Sequence, residues 1–374
     1  MTKTLKYSLA VVAGLAILLA GAAAGTLLWR AKLQAAVAER RIISTPGGID
    51  VMQTVQIGGI PQVIRVRGHS LENPVLLFVH GGPGTPMIPF AHKFEDLWER
   101  QFTVVQWDQR GTGKTAVLSD PARIAAEMSI DVMKNDVVEM SNYLRKRFGK
   151  EKIFILGHSW GSVLSIPVAL EHPELYYAYI GTGQVIDVPR AERLGYEHTL
   201  LEAEKMGIKK AVAELRALEP YPPPGPWRGE KLDVRHKWND YFGESVFGFQ
   251  DMADAMALYA WESPDYTLGD FFRLLGDSET PYRNLQLFIY NYDARKFGMR
   301  WQIPVFFING RYDWQVNNQV AYEYYEAIEA PLKRFFYIEK SSHAAMVEQP
   351  EEFARILIEE IRPLAFAGSA GSSE

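Results

Sequence analysis

The sequence predicts an α/β fold: a mostly parallel sheet with helices on both faces and a helical cap inserted late in the sheet. Three observations carry this. Short, uninterrupted apolar runs at Val75–Val79 (VLLFV), 102–107 (FTVVQW) and 153–156 (IFIL) alternate with helix-compatible stretches. That is how strands covered on both faces and joined by right-handed crossovers read. The alternation stops between about 185 and 301, where amphipathic helical sequence, a proline cluster at 222–226 and many aromatics take over. It resumes at 304–308 (PVFFI) and 334–338 (RFFYI), followed by a C-terminal helix over 350–361.

In chain order, residues 7–29 contain no charged side chain and are flanked by Lys3 and Lys6 before and Arg30 and Lys32 after. About 20 apolar residues suffice for a helix to cross a bilayer. Two readings fit: a retained membrane anchor, or a signal peptide cleaved near the small residues Ala22 and Ala24. The flanking charges are too balanced to choose a side of the membrane. Residues 30–45 read as a charged helical spacer. β-prone runs at 52–56 and 62–67 flank Gly58-Gly59 and form a hairpin. Helices are expected over 90–100, over Ile130–Phe148 and after Ser159, and a strand is expected to end at 179–181. The division is thus 1–41 anchor or signal segment and spacer, 42–184 first part of the core, 185–301 cap, 302–366 second part of the core, and 367–374 a frayed tail.

Composition narrows the function. The net charge of -5 argues against a nucleic-acid partner. The chain has no cysteine, which excludes disulfides, thiolate metal sites and a thiol nucleophile.

The run at 153–156 leads into Gly157-His158-Ser159-Trp160-Gly161, a G-x-S-x-G pattern between strand and helix. A sharp turn there lifts a serine hydroxyl above the strand end and aims the next backbone N–H, that of Trp160, at a developing oxyanion. After VLLFV comes His80-Gly81-Gly82-Pro83-Gly84. Glycines in that loop let backbone approach a substrate, and Gly82 is assigned as the second oxyanion donor, with Gly81 its rival. The order nucleophile, acid, base then selects the partners. Of the histidines after Ser159, His172 lies in the following helix and His198 and His236 in the cap, whereas His343 alone follows the last strand, where ligands bind in open α/β sheets. Asp313 is the only carboxylate in the loop after 304–308. Ser159, Asp313 and His343 form the expected triad, working through an acyl-enzyme on a small acyl substrate, with no metal or cofactor. Two other features are set aside. Gly111-Thr112-Gly113-Lys114-Thr115 ends like a phosphate-binding loop, but Asp108 stands where that pattern needs glycine. His158 is expected to pack or orient, because adjacent side chains diverge at a tight turn.

These motifs, together with Trp107-Asp108-Gln109-Arg110-Gly111-Thr112-Gly113-Lys114 and Gly310-Arg311-Tyr312-Asp313, resemble the proline iminopeptidase group of α/β-hydrolases (peptidase family S33). The resemblance covers about 45–183 and 302–365. It implies the α/β-hydrolase fold and release of an N-terminal residue, often proline, from small peptides without a metal. Family members that hold a free α-amine use acidic cap residues, and Trp261-Glu262 looks like the family's Trp-Glu segment, which makes Glu262 the implied amine anchor. A second family glutamate has no counterpart in the 288–293 segment (FIYNYD). A hydrolase of carboxylic esters, lactones or other amides, and a non-catalytic binding module, are the alternatives.

Overall fold

The computed structural model describes residues 3–229, 231–248, 252–276 and 280–366, so the expected tail 367–374 lies outside the described residues. The strands are β1 (Ile49–Ile57), β2 (Ile60–Gly68), β3 (Val75–Val79), β4 (Thr103–Asp108), β5 (Ile153–His158), β6 (Tyr176–Thr182), β7 (Val305–Gly310) and β8 (Lys333–Ile338). They form one sheet in the order β1-β2-β4-β3-β5-β6-β7-β8. β1 pairs with β2 and β2 with β4 antiparallel, and the remaining pairs are parallel. This is the α/β-hydrolase fold. The chain leaves β3 toward β4 on one side and returns to β5 on the other. The carboxyl ends of β3 and β5 therefore flank the crevice where such sheets bind ligands.

The apolar runs are explained by burial on both faces. Val75, Leu77 and Val79 of β3 join one core cluster, and Leu76 and Phe78 join the cluster on the opposite face. The helices are α1 (Lys3–Arg40), α2 (Pro121–Glu127), α3 (Ile130–Phe148), α4 (Trp160–Glu171), the cap helices α5 (Val188–Lys205), α6 (Lys209–Arg216), α7 (Leu232–Tyr241), α8 (Met252–Glu262), α9 (Leu268–Leu274) and α10 (Gln286–Ile289), then α11 (Asn318–Ala327), α12 (Ala345–Glu348) and α13 (Pro350–Ile356). The bounds of α3 follow from its caps. The Ser129 side chain accepts from the Val132 N–H, and Gly149 closes the helix in the left-handed region with three basic residues in the last turn. The cap is inserted between β6 and β7.

Two expectations change. The helix over 90–100 is two 3₁₀ turns, Ile88–Lys93 and Glu95–Leu97. Ile88 and Phe90 are both buried, and an α-helix would point them to opposite sides. The stretch after residue 29 is helical but is not a spacer. α1 runs on unbroken to Arg40, and one face of it docks on the domain. The Arg30 guanidinium donates to the Tyr266 carbonyl (2.8 Å) and the Gln34 amide to the Ser263 carbonyl (2.6 Å), while Val37 is buried. Spacings of three and four residues put these on one helix face. Arg41 follows, buried in an ionic cluster with Glu95 (2.9 Å), Asp96 (2.6 Å) and Glu99.

Candidate active site

Ser159 sits between β5 and α4 with φ 52° and ψ −120°, a conformation that costs a non-glycine residue about 1–3 kcal/mol. The surroundings hold it there. Its N–H donates to the Thr182 carbonyl (3.0 Å), and its carbonyl accepts from the Ser162 N–H (2.8 Å) and hydroxyl (2.6 Å). The Ser162 hydroxyl in turn accepts from the Val185 N–H (3.1 Å). Gly161 is required for closeness: a Cβ there would lie 1.8 Å from the Val79 carbonyl oxygen. That contact presses α4 against the end of β3. Trp160 opens α4, where the first N–H groups have no intrahelical partner and the helix dipole is positive.

The structure brings Asp313 and His343 together from the loops after β7 and β8. His343 Nδ1 donates to Asp313 Oδ2 (2.9 Å), while Asp313 Oδ1 accepts from the Gln315 and Val316 N–H groups (3.0 and 3.2 Å). The tautomer is thereby fixed, and Nε2 is left available for a proton. His343 and Ser159 line the same cavity of about 470 Å³, together with Gly81, Gly82 and His158. Gly82 and Trp160 also border, with Ser159, a smaller cavity of about 90 Å³ that Gly81 does not reach. The base loop is tied to the cap. The His343 N–H donates to the Ser245 carbonyl (3.1 Å) and the Ser342 hydroxyl to the Gly243 carbonyl (2.9 Å). The Glu348 carboxylate accepts from the Ser341 hydroxyl (2.7 Å), the Ser342 N–H (2.5 Å) and the Phe247 N–H (2.8 Å).

The neighbouring histidines are structural. His158 donates from Nε2 to the His343 carbonyl (3.1 Å), and burial, with His343 beside it, holds it neutral, down at about 3. His80 accepts at Nε2 from the Gln109 N–H (3.2 Å) and is lowered to about 4 by burial. The Gln109 side chain links the two glycine-rich turns, donating to the His80 carbonyl (3.0 Å) and accepting from the Trp160 indole (3.3 Å). Asp108, the residue that breaks the phosphate-loop pattern, is buried. It accepts from the Lys114 N–H (2.7 Å) and the Tyr266 hydroxyl (3.2 Å), and burial pushes it up to about 7.

Glu262 does not join this site. It is absent from the residues lining either cavity at Ser159, and its carboxylate is held by Lys93 and by His92 (3.2 Å) on the turn after β3. It caps a junction between α8 and the core, and an ammonium would have to displace two partners there. Among the described residues, the acidic groups that do reach the large cavity are Asp233 and Asp240 of α7, with His236 between them. Spacings of three and four residues along one helix turn all three to one face, a periodicity present in the sequence but masked there by the surrounding charges. Glu192 borders the small cavity but is already matched. Burial raises its carboxyl, and Arg235, His236 and Tyr221 outweigh that and hold it below the ordinary value.

Three comparisons place this arrangement among known proteins. The family described as "Serine aminopeptidase, S33" matches residues 72–216. The chain is 31% identical over 314 residues to the probable aminopeptidase YbaC of Bacillus subtilis (strain 168), covering 83% of this chain and 95% of that protein. It is 24% identical over 307 residues to a proline iminopeptidase of Saccharolobus solfataricus, covering 80% and 87% of the two chains. The crystal structure of a proline iminopeptidase from Mycobacterium smegmatis superposes with a TM-score of 0.62 at 18% identity, over 85% of this chain and 100% of that one.

Proposed function

Because this chain belongs to the S33 serine aminopeptidase family, as a proline iminopeptidase-like α/β-hydrolase, we propose that it is a serine hydrolase releasing N-terminal residues from short peptides. One observation carries the reading. Ser159 and an Asp313-paired His343 share a cavity whose cap wall bears the carboxylates Asp233 and Asp240.

In this mechanism His343 Nε2 takes the Ser159 proton as Oγ bonds to the scissile carbonyl carbon. Asp313 steadies the imidazolium. The N–H groups of Gly82 and Trp160 receive the oxyanion, each contributing about 3 kcal/mol. As the carbon–nitrogen bond breaks, His343 returns the proton to the leaving amine. Water, deprotonated by His343, then bonds to the acyl carbon, and His343 passes that proton to Ser159 Oγ as the ester bond breaks and the acid leaves. No step calls for a metal or cofactor. Asp233 and Asp240 replace Glu262 as the partners of the substrate ammonium, since carboxylates facing an ammonium give the strong, charge-assisted contacts that select a free amine.

The full chain, assayed on prolyl and alanyl arylamides, their N-blocked forms and short p-nitrophenyl esters, tests this. Cleavage of free-amine arylamides and refusal of blocked ones is expected. Cleavage of esters alone would move the assignment to the carboxylic-ester reading.

The proposal also takes α1 as a retained anchor. By length and composition it is long and apolar enough to cross a membrane, and its most apolar stretch has mean hydropathy 2.0 with none of it buried against the domain. A signal sequence passes the same test. The docking of residues 30–41 lies past the cleavage point near Ala24 and is the same in either case. An intact N-terminus in membrane fractions is the expected result, and mature protein beginning near Gly25 in the soluble fraction would overturn it.

A further inference from the structure

The face of the cap formed by α8 and α9 carries apolar side chains in the open. Leu258 of α8 is 54% exposed, Phe272 of α9 62%, and Leu275 just beyond it 50%. Single exposed apolar residues need no explanation. These three are connected to something that does. Trp29, the last residue of the uncharged stretch, meets Trp261 of α8 with ring centroids 6.4 Å apart. Trp261 meets Phe271 edge-on at 5.1 Å, and Phe271 meets Phe272 at 5.6 Å. A line of rings thus runs from the end of the apolar helix out to the exposed surface of α9. Leu258 lies one turn before Trp261 on α8, on the neighbouring part of the same face.

The direction of this face is fixed relative to α1. Arg30 stacks over the Trp261 ring (5.3 Å to its centroid) and holds the Tyr266 carbonyl, Gln34 holds Ser263, and Arg41 anchors the following turn in the core. A helix pinned at successive turns cannot swing the domain freely beneath it. Tryptophan and arginine at the end of an apolar span mark the membrane–water boundary. Whatever layer Trp29 reaches, Trp261 and the α9 surface reach nearly the same layer.

We infer that the α8–α9 face, through Leu258, Phe272 and Leu275, beds into the headgroup region of the bilayer that α1 crosses, so that the cap is a second membrane contact. This rests on the anchor reading above. The occupant is lipid because the apolar face is contiguous, through Trp29 and Trp261, with the exposed apolar stretch of α1 that the anchor reading places in the bilayer.

The chain lacks cysteine, so a single introduced thiol is unique. Full-length Leu258→Cys, Phe272→Cys and Leu275→Cys, with Leu201→Cys as an exposed apolar control on α5, are labelled with bimane and reconstituted in phosphatidylethanolamine–phosphatidylglycerol vesicles. Flotation is read alongside emission, and ester hydrolysis verifies folding of each variant. Expected are a blue shift and quenching by brominated lipid at 258, 272 and 275, with neither at 201. Co-flotation with all four labels water-exposed overturns the inference and leaves the anchor standing. Equal lipid quenching at 201 overturns the assignment to this face. Failure to float overturns the anchor reading and the inference with it.

Discussion

The sheet core and the cap present residues to the same cavity by different means. In the core, backbone presses on backbone: Gly161 lies against the Val79 carbonyl, Ser159 is held at positive φ by four hydrogen bonds around the elbow, and Gln109 ties one glycine-rich turn to the other. Such contacts admit few residue types at fixed sequence positions. In the cap, Asp233, His236 and Asp240 reach the cavity because α7 is rotated to face it. That rotation is set by packing, with Trp238 in the cap's own core and Arg235 buried between Glu192 and the Trp314 and Gln315 carbonyls of the loop after β7. The candidate triad is therefore written locally in the core, and what the cap presents to the cavity depends on how its helices settle there.

Substitutions can break or sharpen this contrast. Ser159→Ala should lower kcat on the order of 10⁴-fold on amides and esters alike, read in steady-state assays of folded protein. Retained turnover would remove the core's claim to the chemistry. Asp108→Asn addresses the seam, since Asp108 belongs to a core motif yet accepts from Tyr266 of the cap. Its folded carboxyl is raised from 3.8 to about 7, so the native state holds that proton more tightly than the unfolded chain does. The stability this contributes is full below about pH 4 and is lost as pH rises toward 7. In denaturant titrations the Asp108→Asn protein should therefore gain on the wild type across that window, by up to about 4 kcal/mol, and gain no more above it. A constant difference with pH would show that Asp108 folds ionised.

Asp233→Asn and Asp240→Asn should each cost about 1.5–3 kcal/mol in kcat/KM for free-amine arylamides, roughly ten- to a hundredfold, and leave ester hydrolysis unchanged. Equal losses on both substrates would mean that α7 supports the core and does not select. Glu262→Gln, the smallest effect, should leave that selectivity intact and lower thermal stability by no more than ~1 kcal/mol. A lost preference for the free amine would restore Glu262 to the substrate.

What the sequence disclosed follows the same division. Strands buried on both faces appear as unbroken apolar runs, so β3 and β5 were legible nearly to the residue, as were the turns beyond them. Asp313 and His343 could be nominated because chain order and position after the last strands leave one candidate of each, and the fold hydrogen-bonds the two. Glu262 was misplaced because a Trp-Glu pair says nothing about which way α8 faces: in the fold Trp261 turns to Trp29 and Glu262 to Lys93 and His92. The helix expected over 90–100 is instead 3₁₀ turns over 88–97, because apolar spacing there suits either geometry until Ile88 and Phe90 must both be buried. The docking of residues 30–41 was invisible because its partners lie far along the chain, at Tyr266 and Glu99.

Arg41 has a practical bearing on any attempt to prepare a soluble form. Cutting the chain at Ile42, where the first sheet strands approach, would remove the guanidinium that neutralises Glu95 and Glu99, which are 1% and 2% exposed. Burial, with Glu99 alongside, already pushes Glu95 up to about 7 even with Arg41 present. Glu99 would then keep Arg67 as its ion-pair partner while Glu95 would lose its own, and excising a buried ion-pair partner commonly costs about 3–5 kcal/mol. A truncation at Gly25 discards most of the uncharged apolar stretch and keeps Arg30, Gln34, Val37 and Arg41 in register, so the shortened chain carries its own clasp.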